Sequence, residues 1–268
     1  MPRVVALVLW LAACLCAAPA WAGRLVIQVS ARAYLQAGRV QVVLTVVNRG
    51  DEAARDLQAH LLYPPVEAAS RRLASLAAGG EEDLVLSWPA PAGPPGRYAA
   101  VVRVDFSDQN QYPFSTLAHA LYALGRDRPS PLAVRAAPVR LEGTSATWAL
   151  TASNPSPQPF QGGVHLFCPR ELSLRPRHLS LHLPPRGRTV LTAELTNFSA
   201  LSGASYPLVA VVEGRVAGRQ VSAVVTGRVT LAPRQGFFRR TLGWWLAGAG
   251  LLTALWVVLA VRGRRRGV

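Results

Sequence analysis

Lysine is absent from this sequence, and all 29 basic residues are arginine. Together with abundant alanine, glycine and proline, that choice marks the coding bias of a GC-rich bacterial genome, so a formal charge of +15 is partly compositional. Cysteine is almost as scarce. Cys14 and Cys16 fall inside an N-terminal apolar stretch, and only Cys168 lies beyond it. A mature chain therefore has no second thiol for an intrachain disulfide, and its core must hold unaided. Cys168 sits in the apolar run 164–168 and reads as a buried structural thiol. Blocks of five or six like charges are missing too. That excludes the concentrated basic stripe with interleaved aromatics that nucleic-acid binding requires. Outside Arg3 and four tail arginines, 24 arginines face 14 acidic residues. Such spread positive charge suits anionic envelope polymers or lipid head groups.

Catalytic patterns are also lacking. There is no nucleophile elbow, no phosphate loop and no pair of carboxylates flanking a cleft, so the expectation is a non-enzymatic protein with no cofactor and no metal. His178 and His182 are four apart, but they alternate with Leu179, Leu181 and Leu183, which makes the segment a strand with both imidazoles on its outer face. At ~3.3 Å per residue they root ~13 Å apart, too far for one zinc with ~2.0 Å bonds. His60 and His165, at equivalent places further along the chain, read as strand-surface residues. Asp105, Asp108 and Asn110 form an oxygen-rich cluster before Tyr112-Pro113-Phe114. Only two carboxylates are local, so a hairpin turn outweighs a calcium loop. Asp108, Asn110, Tyr112 and Phe114 form the candidate contact loop, serving either a partner or packing between domains.

The ends of the chain are informative. Residues 1–22 combine Arg3, an apolar stretch and Ala20-Trp21-Ala22, the pattern of a cleaved secretory signal. Leu11-Ala12-Ala13-Cys14 also resembles a lipobox, which would instead place a lipid on Cys14. Residues 242–261 carry no charge and, at ~1.5 Å per residue, are long enough for a ~30 Å hydrocarbon core. Arg262, Arg264, Arg265 and Arg266 follow at once, so the positive-inside bias sets the 262–268 tail in the cytoplasm. The expected location is the bacterial cytoplasmic membrane, single-pass, with the bulk of the chain extracytoplasmic (periplasmic in a Gram-negative cell). Within the apolar stretch Gly243, Ala247, Gly250 and Ala254 fall on one stripe, a candidate helix-contact surface.

Between the ends, period-two apolarity bounded by Gly, Pro and Asn clusters predicts strands throughout. Residues 97–106 alternate, with Tyr98, Ala100, Val102, Val104 and Phe106 on one face, and read as half-buried. The Ala-rich stretch 66–78 is the one candidate for a turn of helix. Self-comparison finds a repeat. Asn48 matches Asn154, Leu62-Tyr63-Pro64 matches Phe167-Cys168-Pro169, Leu76 with Gly79 matches Leu183 with Gly187, and Tyr98 and Asp105 match Tyr206 and Glu213. The copies cover 23–128 and 131–233. Short strands at this density predict a mainly β chain of two tandem immunoglobulin-like β-sandwiches plus one C-terminal transmembrane helix. The eight-residue tether 234–241 would keep the second copy near the membrane and make the first the outer domain.

Asn48-Arg49-Gly50, Leu62-Tyr63-Pro64, Leu76 with Gly79, and Gly96-Arg97-Tyr98 resemble the bacterial adhesion-related (CARDB-type) Ig-like modules of envelope proteins. The second copy departs at Asn154-Pro155-Ser156, which lacks the glycine, and at Gly203-Ala204-Ser205-Tyr206, which has an extra residue. The resemblance implies a fold and a habit of mediating contacts, not a ligand. Three readings follow: an envelope protein that contacts a membrane or envelope protein partner, a carbohydrate- or envelope-polymer-binding module, and an accessory subunit of a transport or secretion complex. Exposed aromatic platforms would favour carbohydrate; an apolar patch at the junction of the copies would favour a protein.

Overall fold

The computed structural model describes residues 24–233, with Trp244 and Gly248 as isolated helical positions. The signal segment, the 242–261 stretch with its Gly243, Ala247, Gly250 and Ala254 stripe, and the arginine tail lie outside the described residues. Among the described residues no helix is long and apolar enough to cross a membrane.

The described chain is mainly β and consists of β-sandwich layers. In the first unit, β1 (Ile27–Gln36), β2 (Arg39–Asn48) and β5 (Glu81–Pro89) form one sheet in the order β1-β2-β5. Opposite it, β4 (Leu73–Leu76), β3 (Ala54–Tyr63), β6 (Gly96–Ser107) and β7 (Pro113–Leu124) pair antiparallel in that order. The alternation of β2 is complete: Val40, Val42, Leu44 and Val46 are fully buried against Leu84, Leu86 and Trp88 of β5 and Ala100, Val102 and Val104 of β6. Each such side chain stabilises the fold by about 1.5–3 kcal/mol.

The second unit repeats the plan. β8 (Ala133–Ala136), β10 (Ser145–Ser153), β14 (Arg188–Asn197) and β12 (Leu172–Arg175) make one sheet. β13 (His178–Leu183), β11 (Phe160–Phe167), β15 (Ser205–Val216) and β16 (Arg219–Leu231) make the other, with β9 (Val139–Leu141) added parallel to β16. Trp148, Phe160, Leu174, Leu195 and Leu208 fill its core with no exposure. The indole of Trp148 lies against Gly227, where a Cβ would stand 2.9 Å from the ring, so only glycine fits there.

The matched asparagines do the same work twice. Asn48 is fully buried; its Nδ2 donates to Glu52 O and Leu76 O, and its Oδ1 accepts from Gly50 N. Asn154 donates to Gln158 O and Pro184 O and accepts from Ser156 N. Its side chain pins the start of the next strand and the turn before β14, as Asn48 does for β3 and β5. Serine stands at the donating position in the second copy, where only its backbone N–H is used; in the first copy a Cβ at Gly50 would collide with the Arg24 carbonyl.

Two expectations are corrected. The Ala-rich stretch 66–78 is not helical: Ala69 bridges His60, and β4 pairs with β3. Alanine's helix propensity is worth only tenths of a kcal/mol per residue, and edge pairing outweighs it. Strand β6 is not half-buried but buried on both faces, since Ala99 and Val101 are 2% and 0% exposed. They meet Leu117, Val209 and Val211 in a third apolar cluster, with Leu62, Tyr63, Phe167 and Val224 packed around it. The ladder containing β6 and the ladder containing β15, the two inner sheets of the stack, thus pack face to face; their bridged edge makes them one nine-stranded sheet, and the described residues place the three- and four-stranded sheets outside it, around three apolar clusters.

At one edge of this stack the two inner sheets join through a single parallel bridge, Gln220 to Gly96. Gly96 has φ 150°, and a Cβ there would collide with the Gln220 carbonyl, so glycine is required. At the other end the β6–β7 turn touches the second unit, where the Tyr112 hydroxyl donates to Ser199 O at 3.0 Å. The first copy is therefore beside the second rather than beyond it.

Candidate functional site

Where the two inner sheets meet, their ends diverge and leave a groove of about 590 Å³. The first unit contributes Leu62, Tyr63 and Pro65 from the end of β3 and Arg103 from β6. The second contributes His165, Leu166, Phe167, Cys168, Pro169, Arg170, Leu172, Arg177 and His178. Tyr63 and Pro65 after β3, and Cys168 and Pro169 after β11, line it where the two ladders end at proline-bearing segments. These are the same two landmarks that sequence self-comparison pairs.

Glu213 of β15 anchors one side. His165 Nε2 lies 3.2 Å from Glu213 Oε1, and Gln220 Nε2 donates to Oε2 at 3.4 Å. Tyr63 hydrogen-bonds to the same carboxylate from the first unit. Burial works against ionisation of Glu213, but the bonds from His165 and Tyr63 outweigh it and hold the carboxyl below its ordinary range. Burial first, and Glu213 second, push the Tyr63 hydroxyl far above the usual tyrosine value. The rings assemble around this centre: Tyr63 lies 4.8 Å from His165 and 5.9 Å from Phe167, and His165 lies 4.7 Å from His178, all tilted.

The first unit holds a counterpart. His60 Nε2 stands 3.8 Å from Asp105 Oδ2 across β3 and β6, as His165 does from Glu213 across β11 and β15. Arg103 claims Asp105 bidentately at 2.8 and 2.9 Å. His60 and His165 are therefore not simple strand-surface residues. Each is partnered diagonally across its ladder. The signal was available: the histidines and the acids repeat along the sequence at nearly the same offset, and only their cross-strand pairing was missed.

Electrostatically the groove is one-sided. Its lining contains Arg103, Arg170 and Arg177 and no carboxylate. Arg103 is neutralised by Asp105, whereas the guanidiniums of Arg170 and Arg177 have no hydrogen-bonded or ion-paired side chain among the described residues. The thiol of Cys168 is pushed up to about 11 by burial, and its Sγ donates to Leu172 O at 3.3 Å. Thiolate is scarce at neutral pH, which matches the structural reading of this cysteine.

Beside the groove, Glu171 locks the units together. It is 1% exposed and accepts from Ser115 N at 2.6 Å and Ser115 Oγ at 2.8 Å, while Arg170 N donates to Ser115 Oγ at 2.8 Å. Burial raises the Glu171 carboxyl above its ordinary value, although the Ser115 bonds oppose the rise. Sequence reading gave no sign of this contact, because a lone Glu between Arg170 and Leu172 looks like surface.

The other anticipated positions fall elsewhere. Asp108 accepts from Tyr112 N at 2.8 Å and closes the β6–β7 turn, with Gln111 at φ 63°. Asn110 is exposed, and Phe114 stacks on Phe106 at 5.9 Å. The Tyr112 hydroxyl meets the second unit, so the loop's aromatic end packs between the copies. His182 faces outward on β13, whereas His178, on the same face, stands at the groove beside His165. Among the described residues no group of three or more His, Cys, Asp or Glu is placed to hold a metal.

Residues 23–110, which contain most of the first unit, are similar to the CARDB family model. No curated protein matches the chain. Among solved structures, the native form of Escherichia coli alpha-2-macroglobulin is 12% identical with a TM-score of 0.34, over 79% of this chain and 17% of its own. The chain thus spans about a sixth of that protein's length. The YadV chaperone is 15% identical with a TM-score of 0.33, over 75% of this chain and 98% of its own. The periplasmic chaperone SfaE is 17% identical with a TM-score of 0.33, over 77% of this chain and all of its own.

Proposed function

We propose that this protein is a non-enzymatic, single-pass membrane protein of the bacterial envelope, with two Ig-like units that together hold a protein partner at the groove between them. The observation that carries the reading is the groove's composition: apolar walls from both units, two guanidiniums that hydrogen-bond to no side chain among the described residues, and a lining without a carboxylate. An extended segment with apolar side chains and at least one acidic group complements it. Desolvated charge-assisted bonds from arginine to carboxylate would supply orientation, and the apolar walls would supply affinity.

A protein is favoured over carbohydrate for a geometric reason. The groove's aromatic rings are tilted against one another, Tyr63 on His165 and Phe167, so their faces are engaged and offer no flat platform to a sugar. Membrane anchoring is supported by the uncharged 242–261 stretch followed by four arginines. The CARDB match is compatible with a binding role.

The test is affinity purification of the full-length protein from detergent-solubilised membranes, comparing wild type with Arg170→Glu/Arg177→Glu and with Arg135→Glu/Arg188→Glu, which reverses charge elsewhere. Loss of a co-purifying protein in the first variant alone supports the groove. Identical partners in all three would overturn it, and retention of an anionic envelope polymer with no protein would move the assignment to the carbohydrate reading.

A further inference from the structure

We propose that the end of the molecule formed by the 198–201 loop and the β6–β7 turn rests on the lipid surface of the membrane. This inference depends on the anchoring reading above. Phe198 is 70% exposed, yet its backbone is not free to withdraw it: the N–H groups of Phe198 and Ser199 donate to Glu171 O at 3.0 and 3.2 Å. A phenyl ring held out on a pinned loop loses the gain of burial unless something covers it. Leu201 and Tyr112, 43% and 38% exposed, stand at the same end, tied together through the Tyr112 bond to Ser199 O.

The path of the chain says what covers them. The loop just after Phe198 is bonded to the last described residues, Ser202 Oγ to Ala232 O at 3.0 Å and Gly203 N to Leu231 O at 3.1 Å. The chain therefore leaves from this end, and residues 234–241 span at most about 29 Å before the apolar stretch begins. Residue 24 starts here too: Arg24 N bonds Asp51, and neighbouring Glu52 accepts from Gln109 N of the β6–β7 turn at 2.9 Å. The opposite end holds charged groups, with Arg97 gripping Asp127 at 2.8 Å and Arg219 donating to Arg126 O at 3.1 Å, and it exposes Tyr34 and Leu35 at 43% each, but no tether leaves from it. Phe198, 70% exposed on the end that carries the tether and lying among charged groups such as Arg24, Asp51 and Glu52, matches the chemistry of a bilayer interface, where rings sit at head-group depth.

The experiment uses the full chain, with Cys14, Cys16 and Cys168 changed to alanine, reconstituted into phosphatidylethanolamine–phosphatidylglycerol vesicles. An environment-sensitive NBD label is placed at Phe198→Cys, or at Arg188→Cys on the opposite end as control. The expected result is a blue-shifted emission at 198 and quenching by shallow spin-labelled lipids several-fold stronger than at 188. Equal, water-like signals at both positions in a chain that resists carbonate extraction would overturn the proposal and leave anchoring intact. A chain that carbonate strips from the vesicles would overturn both.

Discussion

Glu171 and Glu213 both ionise in partly dry surroundings, yet their environments push them in opposite directions. Glu213, held low, contributes stability that is present above the unfolded glutamate value of about 4.3 and is lost as pH falls through its folded pKa. Glu171, held high, favours the protonated state when folded, so its contribution is present below about 4.3 and is lost as pH rises through its folded pKa. Glu213→Gln should therefore cost about 1–2 kcal/mol at pH 7 and much less at pH 3. Glu171→Gln, which keeps one acceptor for Ser115, should show the reverse trend, with its relative Tm highest at pH 7. Thermal melts across pH 3 to 7 check both, and parallel profiles for the two variants would refute the assignment. Glu171 did not stand out in the sequence, and Glu213 did so only as the repeat counterpart of Asp105. A carboxylate's role depends on what a distant strand brings to it, and Ser115 and Tyr63 are far from either in the chain.

At the scale of elements, what was legible followed local rules. The alternation of β2 and the position of Asn48 between a strand and a turn identified buried faces and a shared landmark. The consequence is measurable: Asn48→Ala and Asn154→Ala each strand buried backbone groups and should destabilise by about 2–4 kcal/mol, to similar extents. Denaturant unfolding that finds one of them neutral would contradict their equivalence. What was not legible followed from packing between elements. The 97–106 strand reads as alternating, but Ala99 and Val101 on its supposedly wet face are themselves apolar, and that continuous run is the mark of a strand covered on both sides. The 66–78 stretch misled in the opposite way, because composition favours helix where an edge position on β3 decides the outcome. The groove itself was foreshadowed only by Tyr63 and Cys168, which appear in the sequence as repeat landmarks with no hint that they line one groove.

For the whole molecule, the cluster of Ala99, Val101, Leu117, Val209 and Val211 makes the two units one body. Wild type should then unfold in a single transition. A charge buried at that contact without a partner costs several kcal/mol, so Val101→Asp should uncouple the units, giving two transitions in calorimetry; one unchanged transition would show that the units are not joined this way. The groove exists only because the units are fixed side by side, and this links the architecture to the proposed role. The most direct measurement is photo-crosslinking in living cells with a photoreactive residue placed at Leu62 or at Phe167, one on each wall, and at Val190 on the outer sheet. The account predicts that Leu62 and Phe167 capture the same partner protein and Val190 does not. Capture from one wall only, or from Val190 equally, would contradict it.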